Sequence, residues 1–199
     1  MLLCKPVILV QARDFIQRHC GARVPISVHL KNTKRSSGRA DWYNAKLDEW
    51  KKFFETFRGN EQAMFLLVGN EILPEEFSQF PNVVITKDHG STLLNDLALI
   101  SLSFAFFGVA SGLCQMALFS KVPYAIFKNP AYHSERMDEE LGNRKRFNFS
   151  TPLQKFIRRV ESEGQITQEF ELILNSASRA GWKRRTQLLI AAKTTDGNS

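Results

Sequence analysis

The sequence contains little cysteine and none of the common catalytic or metal-binding motifs. Its three cysteines, Cys4, Cys20 and Cys114, form no CxxC pair and no cysteine–histidine cluster at zinc-ligand spacing. The HExxH and GxSxG motifs are missing, as are the GxGxxG and GxxxxGK[ST] phosphate loops. A zinc site and the commonest hydrolase and nucleotide-binding signatures are therefore not indicated, and the scattered thiols favour a cytoplasmic location.

Long apolar runs are also missing. No window approaches 18 uninterrupted apolar residues, so we expect no transmembrane helix. Lys5 and Pro6 interrupt the apolar start of the chain and no small-residue cleavage site follows, so we expect no signal peptide. The 199 residues are nevertheless 43% hydrophobic and include 16 Phe, a composition typical of one globular domain with short appendages.

Basic residues outnumber acidic ones, with 27 Lys and Arg against 20 Asp and Glu and a net charge of +7. A positive field attracts anions, among them nucleic acids, acidic membrane surfaces and phosphorylated small molecules. Because the basic residues are spread over several segments and match no nucleic-acid-binding module, we expect no nucleic acid as partner. The segments GNRKRFNF and GWKRRTQ are candidate surfaces for an acceptor or for peripheral contact with a membrane.

Apolar runs of strand length alternate with amphipathic segments along the chain. Strands are predicted at VPISVHL, AMFLLVG, PNVVITKD, FAFFGVA and PYAIFK, and helices at residues 6–19, 43–57, 91–101 and 112–120. In the TPLQKFIRRV segment, Thr151 followed by Pro152 and Gln154 predicts a helix start, and Thr167 is expected to cap a last core helix around Phe170.

This alternation predicts an α/β protein with a Rossmann-like, mainly parallel sheet and helices on both faces. We expect a linker-like helix at residues 1–22 and a Rossmann-like domain at residues 23–178. A C-terminal helix and a frayed tail are expected at residues 179–199.

Ligands of such folds bind beyond the carboxyl ends of the strands, which directs attention to three loops. In the first loop, His29 ends a strand and is a candidate for proton transfer. Lys31, Asn32 and Arg35 follow it in a basic loop that suits a phosphate. A plain solvated basic loop is the alternative interpretation.

The second loop follows VVITK and the third follows the Phe-rich strand. The backbone near Thr86–Asp88 is expected to flank a flat heterocycle, with Thr86, His89 and Ser91 as site residues. Alternatively, Ser91 or Thr92 caps the next helix. In the third loop, the glycines of FFGVASG suggest room for a ligand, with Ser111 and Gly112 at a helix start that offers free N–H groups to an anion. An ordinary helix cap at Ser111 is the alternative.

Two segments resemble parts of known glycosyltransferases. ISVHLKNT resembles the His-x-Arg segment of metal-independent, fucosyltransferase-like enzymes, with Lys31 in the position of the arginine. FFGVASGLCQMALFSKVPYAIF is similar to the donor-binding segment of GT-B glycosyltransferases. The resemblance covers about residues 24–130 and implies the C-terminal donor-binding domain of a GT-B fold.

The resemblance also implies a function. The chain would transfer a sugar from a GDP- or UDP-linked donor to a carbohydrate acceptor, with no metal and no cofactor other than this donor substrate. Lys31 would contact the donor phosphates beside His29, Ser111 and Gly112 would bind the pyrophosphate, and residues 86–89 would lie near the base.

GT-B enzymes have two Rossmann-like domains, so an N-terminal domain or a second chain would supply the acceptor side. Two alternatives stay open: a nucleotide-sugar-binding module without catalysis, and a basic nucleic-acid-binding protein.

Overall fold

The computed structural model describes residues 4–33, 42–131, 134–142, 144 and 146–194. The strands in these residues form one parallel sheet. The sheet order is β3-β2-β1-β4-β5-β6, and each neighbouring pair is parallel. The strands are β1 (Val24–His29), β2 (Ala63–Leu67), β3 (Val83–Ile85), β4 (Ala105–Val109), β5 (Tyr124–Phe127) and β6 (Gln154–Ile157). This is the strand order of a Rossmann fold, whose direction reverses between β1 and β4. The predicted α/β, Rossmann-like architecture is confirmed.

Helices connect the strands and cover both faces of the sheet. They are α1 (Pro6–Cys20), α2 (Leu47–Thr56), α3 (Leu93–Leu102), α4 (Cys114–Leu118), α5 (Ser134–Leu141), α6 (Glu163–Ser176) and α7 (Arg179–Thr194), with 3-10 turns at Glu75–Gln79 and Thr86–His89. Among the described residues, no helix combines the length and the apolar character needed to cross a membrane.

Two hydrophobic clusters lie on opposite faces of the sheet. Phe65 and Phe107 join the cluster under α2 and α6, whereas Leu66 and Phe106 join the cluster under α1, α3 and α4. Aromatic rings fill the first cluster, in which Phe53 lies 5.2 Å from the Phe65 ring. Because both faces are covered, β1, β2, β4 and β5 are buried at every position, which explains their continuous apolar runs.

The helix predicted from Thr151 onward is wrong, because this segment leads into strand β6. Half of the expected capping contact does form: the Thr151 N–H donates to Gln154 Oε1 at 2.7 Å. The Gln154 side chain is buried, however, and its Nε2 donates to the carbonyls of Ser120 and Val122 at 2.9 Å each. The contact between Thr151 and Gln154 therefore closes a turn, and pairing with β5 makes the following residues a strand.

The start of α6 also differs from the prediction. The helix begins at Glu163, so Thr167 lies inside it and its hydroxyl donates to Glu163 Oε1 at 3.0 Å. Thr167 is not the cap of this helix. Ser162 occupies that position without a side-chain capping hydrogen bond.

The first turn of α3 faces solvent. Leu93 and Leu94 are 63% and 58% exposed, whereas Leu99 and Ile100 are buried. This turn belongs to the carboxyl edge of the sheet, where Leu93 lines a cleft.

Candidate functional site

A cleft of about 730 Å³ lies at the carboxyl ends of β1, β2 and β4, beside the point where the strand order reverses. Its polar groups come from the loops after these strands and from the beginning of α3. They are supplied by His29, Lys31, Glu71, Ser91, Asp96 and Ser111. This is the position at which open parallel sheets bind their ligands.

His29 connects three loops at this edge. Its side chain is only 3% exposed. Nδ1 lies 2.9 Å from Ser111 Oγ, in the loop after β4, and Nε2 lies 2.9 Å from Glu71 Oε1, in the loop after β2. The three side chains therefore form one continuous hydrogen-bonded chain from the cleft to the carboxylate.

The charge of Glu71 decides the direction of these hydrogen bonds. Partial burial alone would raise the pKa of Glu71, but the hydrogen bond from His29 and the nearby charges of His29 and Lys31 hold that pKa below its ordinary value. Glu71 is therefore ionised at neutral pH and accepts from Nε2–H of His29. Whenever the His29 imidazole is neutral, its other nitrogen is an acceptor, and the Ser111 hydroxyl then donates to Nδ1.

Two glycines allow His29 to lie where it does. Gly69 has φ +111°, and a Cβ there would lie 2.3 Å from Glu71 Oε2 and 2.9 Å from His29 Cδ2. Gly108 has φ +147°, and a Cβ there would lie 2.3 Å from the backbone oxygen of His29. The glycine of FFG thus makes room for the neighbouring strand, which corrects the expectation that it makes room for a ligand. Gly112 has open space at the Cβ position.

Asp96 of α3 bonds to the loops after β2 and β3 on one side of the cleft. Its carboxylate accepts from Gly69 N–H at 2.8 Å, from Thr86 Oγ at 2.9 Å and from Ser91 Oγ at 2.6 Å. Burial raises the pKa of Asp96, although these three hydrogen bonds act in the opposite direction. Asp96 therefore connects α3 to the loops after β2 and β3.

The loop between β4 and α4 supplies free backbone donors. Helix α4 begins at Cys114 and has five residues, so its dipole is smaller than the sequence suggested. Within the part of the chain that the structure describes, the N–H groups of Ser111, Gly112 and Leu113 meet no hydrogen-bond acceptor. These donors lie in the loop that lines the cleft.

The structure brings five of the residues selected from the sequence into this cleft: His29, Lys31, Ser91, Ser111 and Gly112. The Lys31 ammonium lies 4.5 Å from the centroid of the Tyr43 ring, which supports its side chain. Lys31 thus adds a positive charge to the same wall as His29.

Asn32 does not line the cleft. Asn32 Nδ2 donates to the Ile72 carbonyl at 2.6 Å, a contact that joins the loop after β1 to the loop after β2. Arg35 lies outside the described residues.

Thr86 and His89 are also separate from the cleft. Thr86 is fully buried and its hydroxyl donates to the Leu67 carbonyl at 3.0 Å as well as to Asp96, so its side chain faces the interior. His89 lies in a neighbouring hollow, where its ring is 4.4 Å from that of His19.

Glu71 and Asp96 are functional-site residues that were not selected from the sequence. Glu71 follows a predicted parallel strand, so the same strand-end rule would have identified it. Asp96 had no comparable signal, because one carboxylate within a helical pattern does not reveal which face it occupies.

The arrangement offers a hydroxyl, an imidazole, a carboxylate, a cation and free backbone amides in one cleft. Among the residues described, no group of three or more His, Cys, Asp or Glu side chains is arranged to hold a metal ion. The fold and this cleft define a Rossmann-like α/β protein with a polar site at the switch point of its sheet. In comparisons with known proteins, the chain matches no family model, no curated protein and no solved structure.

Proposed function

We propose that the chain is a nucleotide-sugar-dependent glycosyltransferase, or the donor-binding half of one, and that the switch-point cleft receives the donor diphosphate. The observation that carries this proposal is the convergence of Lys31 with the free N–H groups of residues 111–113 in one cleft. A cation and successive backbone amides are suitable partners for phosphate oxygens. The resemblance of ISVHLKNT and FFGVASG to donor-binding segments supports the same ligand.

In this proposal Lys31 neutralises the phosphates, and the amides of Ser111 and Gly112 bind the bridging region of the diphosphate. An acceptor hydroxyl attacks the anomeric carbon, the bond from that carbon to the phosphate oxygen breaks, and the nucleoside diphosphate leaves. Lys31 and the amides stabilise the charge that develops on the leaving group. His29 is the candidate base, and Ser91 is a candidate contact for the donor.

The acceptor is proposed to be a carbohydrate, held by an N-terminal domain or a second chain. A cytoplasmic location agrees with three cysteines that form no disulfide among the described residues. The same contacts also support a nucleotide-sugar-binding module without catalysis.

Thermal unfolding with UDP, GDP and their sugar conjugates tests binding. A ligand at 100 times its Kd should stabilise the fold by about 2.7 kcal/mol. Ser111→Asp should abolish the shift by repelling the diphosphate, and Lys31→Met should reduce it. Lys51→Met, at an exposed position on α2, serves as the matched control. An unchanged shift in Ser111→Asp would remove this loop from the donor site.

Catalysis needs a separate measurement. Calorimetry combined with an assay for nucleoside diphosphate release, with and without simple sugar acceptors, separates an enzyme from a binding module. Binding without release under every acceptor condition favours the module.

A further inference from the structure

Serine hydroxyls occur in several environments here, and only Ser111 combines an imidazole partner with access to the cleft among the described residues. Ser27 and Ser103 are buried and bond to each other at 2.5 Å, and Ser101 bonds back to the Ala98 carbonyl. Those contacts satisfy buried hydroxyls and need no base. Ser111 is partly exposed and does not need His29 to satisfy it, because water can reach the same hydroxyl.

The order of groups matches that of an activated nucleophile. A serine hydroxyl is a weak nucleophile until a base accepts its proton, and the base must be oriented by a third group. Ser111, His29 and Glu71 provide these three roles at 2.9 Å and 2.9 Å, from the end of β1 and from the loops after β2 and β4. The serine bonds to Nδ1 and the carboxylate to Nε2, and either imidazole nitrogen can act as the base.

The surroundings of Ser111 supply two further requirements of acyl chemistry. The N–H groups of Gly112 and Leu113 directly follow the serine and are free, as needed to stabilise an oxyanion. Leu93 and Leu97 line the same cleft, and Leu93 is 63% exposed. The exposed Leu93 and the half-buried Leu97 offer a surface for an apolar acyl group, which gives a reason for the solvent exposure of Leu93.

We propose that Ser111 is a catalytic nucleophile for carboxylic esters with an apolar acyl group, with His29 as general base and Glu71 as its positioning residue. Ser111 Oγ bonds to the carbonyl carbon while its proton moves to His29 Nδ1, and the carbonyl electrons move to the oxygen held by the two N–H groups. The bond from that carbon to the alcohol oxygen then breaks, and the leaving alkoxide takes the proton from Nδ1.

Water completes the cycle. It attacks the acyl-serine carbon and gives a proton to Nδ1; the carbon–Oγ bond breaks and Ser111 recovers the proton as the carboxylic acid is released. This activity is independent of the proposed nucleotide-sugar function, although both use the same cleft. The GxSxG motif could not have revealed it, since the glycines here are spaced as GxxSG.

A fluorophosphonate probe and p-nitrophenyl butyrate test the inference on the full chain. We expect one phosphonyl group on Ser111 by peptide mass spectrometry and measurable release of p-nitrophenol. Ser111→Ala should lose both, whereas the exposed Ser78→Ala should keep both. A folded wild-type protein that is not modified at Ser111, or a Ser111→Ala variant that still hydrolyses the ester, overturns the inference.

Glu71→Gln tests the positioning role through the pH profile of ester hydrolysis, which a change in stability alone would not shift. The hydrolysis rate should fall at least tenfold and the acid limb of its pH profile should shift to lower pH, with partial recovery in Glu71→Asp. An unchanged profile contradicts the role of Glu71. UDP- and GDP-sugars added before the probe should protect Ser111 if the donor also binds here; labelling without protection supports this inference and contradicts the donor site.

Discussion

At the scale of single residues, Gly69 decides whether His29 can keep its carboxylate partner. Gly69→Ala would place a methyl group 2.3 Å from Glu71 Oε2 in a backbone with φ +111°. Because the carboxylate is the end of a flexible side chain, we expect Glu71 to swing away and release His29. The free energy of unfolding should fall by about 1–3 kcal/mol, measured by urea denaturation, together with the reactivity of Ser111.

Gly59→Ala is the matched control, because its Cβ meets nothing within 4 Å. We expect a change within about 0.5 kcal/mol there, as at ordinary surface positions. A Gly69→Ala variant as stable as this control would mean that the loop after β2 adapts without cost.

Asp96 is a second residue whose replacement we expect to lower the free energy of unfolding. Asp96→Ala leaves Gly69 N–H without its acceptor and removes one acceptor each from the hydroxyls of Thr86 and Ser91, and should cost about 2–4 kcal/mol of unfolding free energy. Asp88→Ala, exposed in the preceding turn, is the control and should change little.

The pH dependence of the Asp96 contribution follows from the direction of its pKa. Burial raises that pKa in the folded state, so the unfolded chain releases the proton first as pH rises. The stability that Asp96 contributes is therefore full below the ordinary carboxyl pKa and falls as pH rises through the raised one. Denaturation of wild type and Asp96→Ala at several pH values should give the larger difference at acid pH; a difference that grows with pH contradicts the direction.

At the scale of elements, local pattern was sufficient where both faces of a strand are buried. Runs such as AMFLLVG and PYAIFK have few polar residues, so their strands could be predicted without knowing their neighbours. β6 could not be predicted, because Gln154 and Lys155 break the apolar run and the partners of the Gln154 amide lie 32 and 34 residues earlier. Its identity depends on pairing with β5.

In the site, too, some residues could be selected from the local sequence, whereas their contacts with one another join residues far apart in the chain. His29, Lys31 and Ser111 could be selected because each lies at or just after the end of a predicted strand, and strand ends of a parallel sheet meet at one edge. That Ser111 and Glu71 share one imidazole depends on contacts across 82 and 42 residues, and spacing carries no signal for them.

The attachment of α7 gives a prediction at the scale of elements. Trp182 Nε1 donates to the Leu102 carbonyl at 2.8 Å, and its ring lies 6.2 Å from that of Phe104. Trp182→Phe keeps an aromatic ring but removes the hydrogen-bond donor, so the free energy of unfolding should fall by about 1–2 kcal/mol. Trp42→Phe, 44% exposed, should have little effect. Equal stability of the two variants in chemical denaturation would show that this hydrogen bond adds little to the attachment of α7.

At the scale of the whole molecule, one sheet separates two hydrophobic clusters, and α1 belongs to one of them. Leu9 and Ala12 of α1 are 3% and 1% exposed and lie in the cluster that contains Leu99. Phe53 lies in the cluster on the opposite face. Since β2 and β4 each contribute side chains to both clusters and are hydrogen-bonded to β1 in one sheet, we expect the described domain to unfold as one cooperative unit.

Core truncations in both clusters and in α1 test this expectation. Leu9→Ala and Leu99→Ala should each cost about 2–5 kcal/mol, and Phe53→Ala about 3–5 kcal/mol. Each should move the whole transition, so that tryptophan fluorescence and far-UV circular dichroism keep the same midpoint in every variant. If α1 is linker-like, Leu9→Ala will leave the main transition unmoved, and a separate early loss of helical signal will appear. A shift of both probes together assigns the N-terminal helix to the same folding unit as the sheet that carries the cleft.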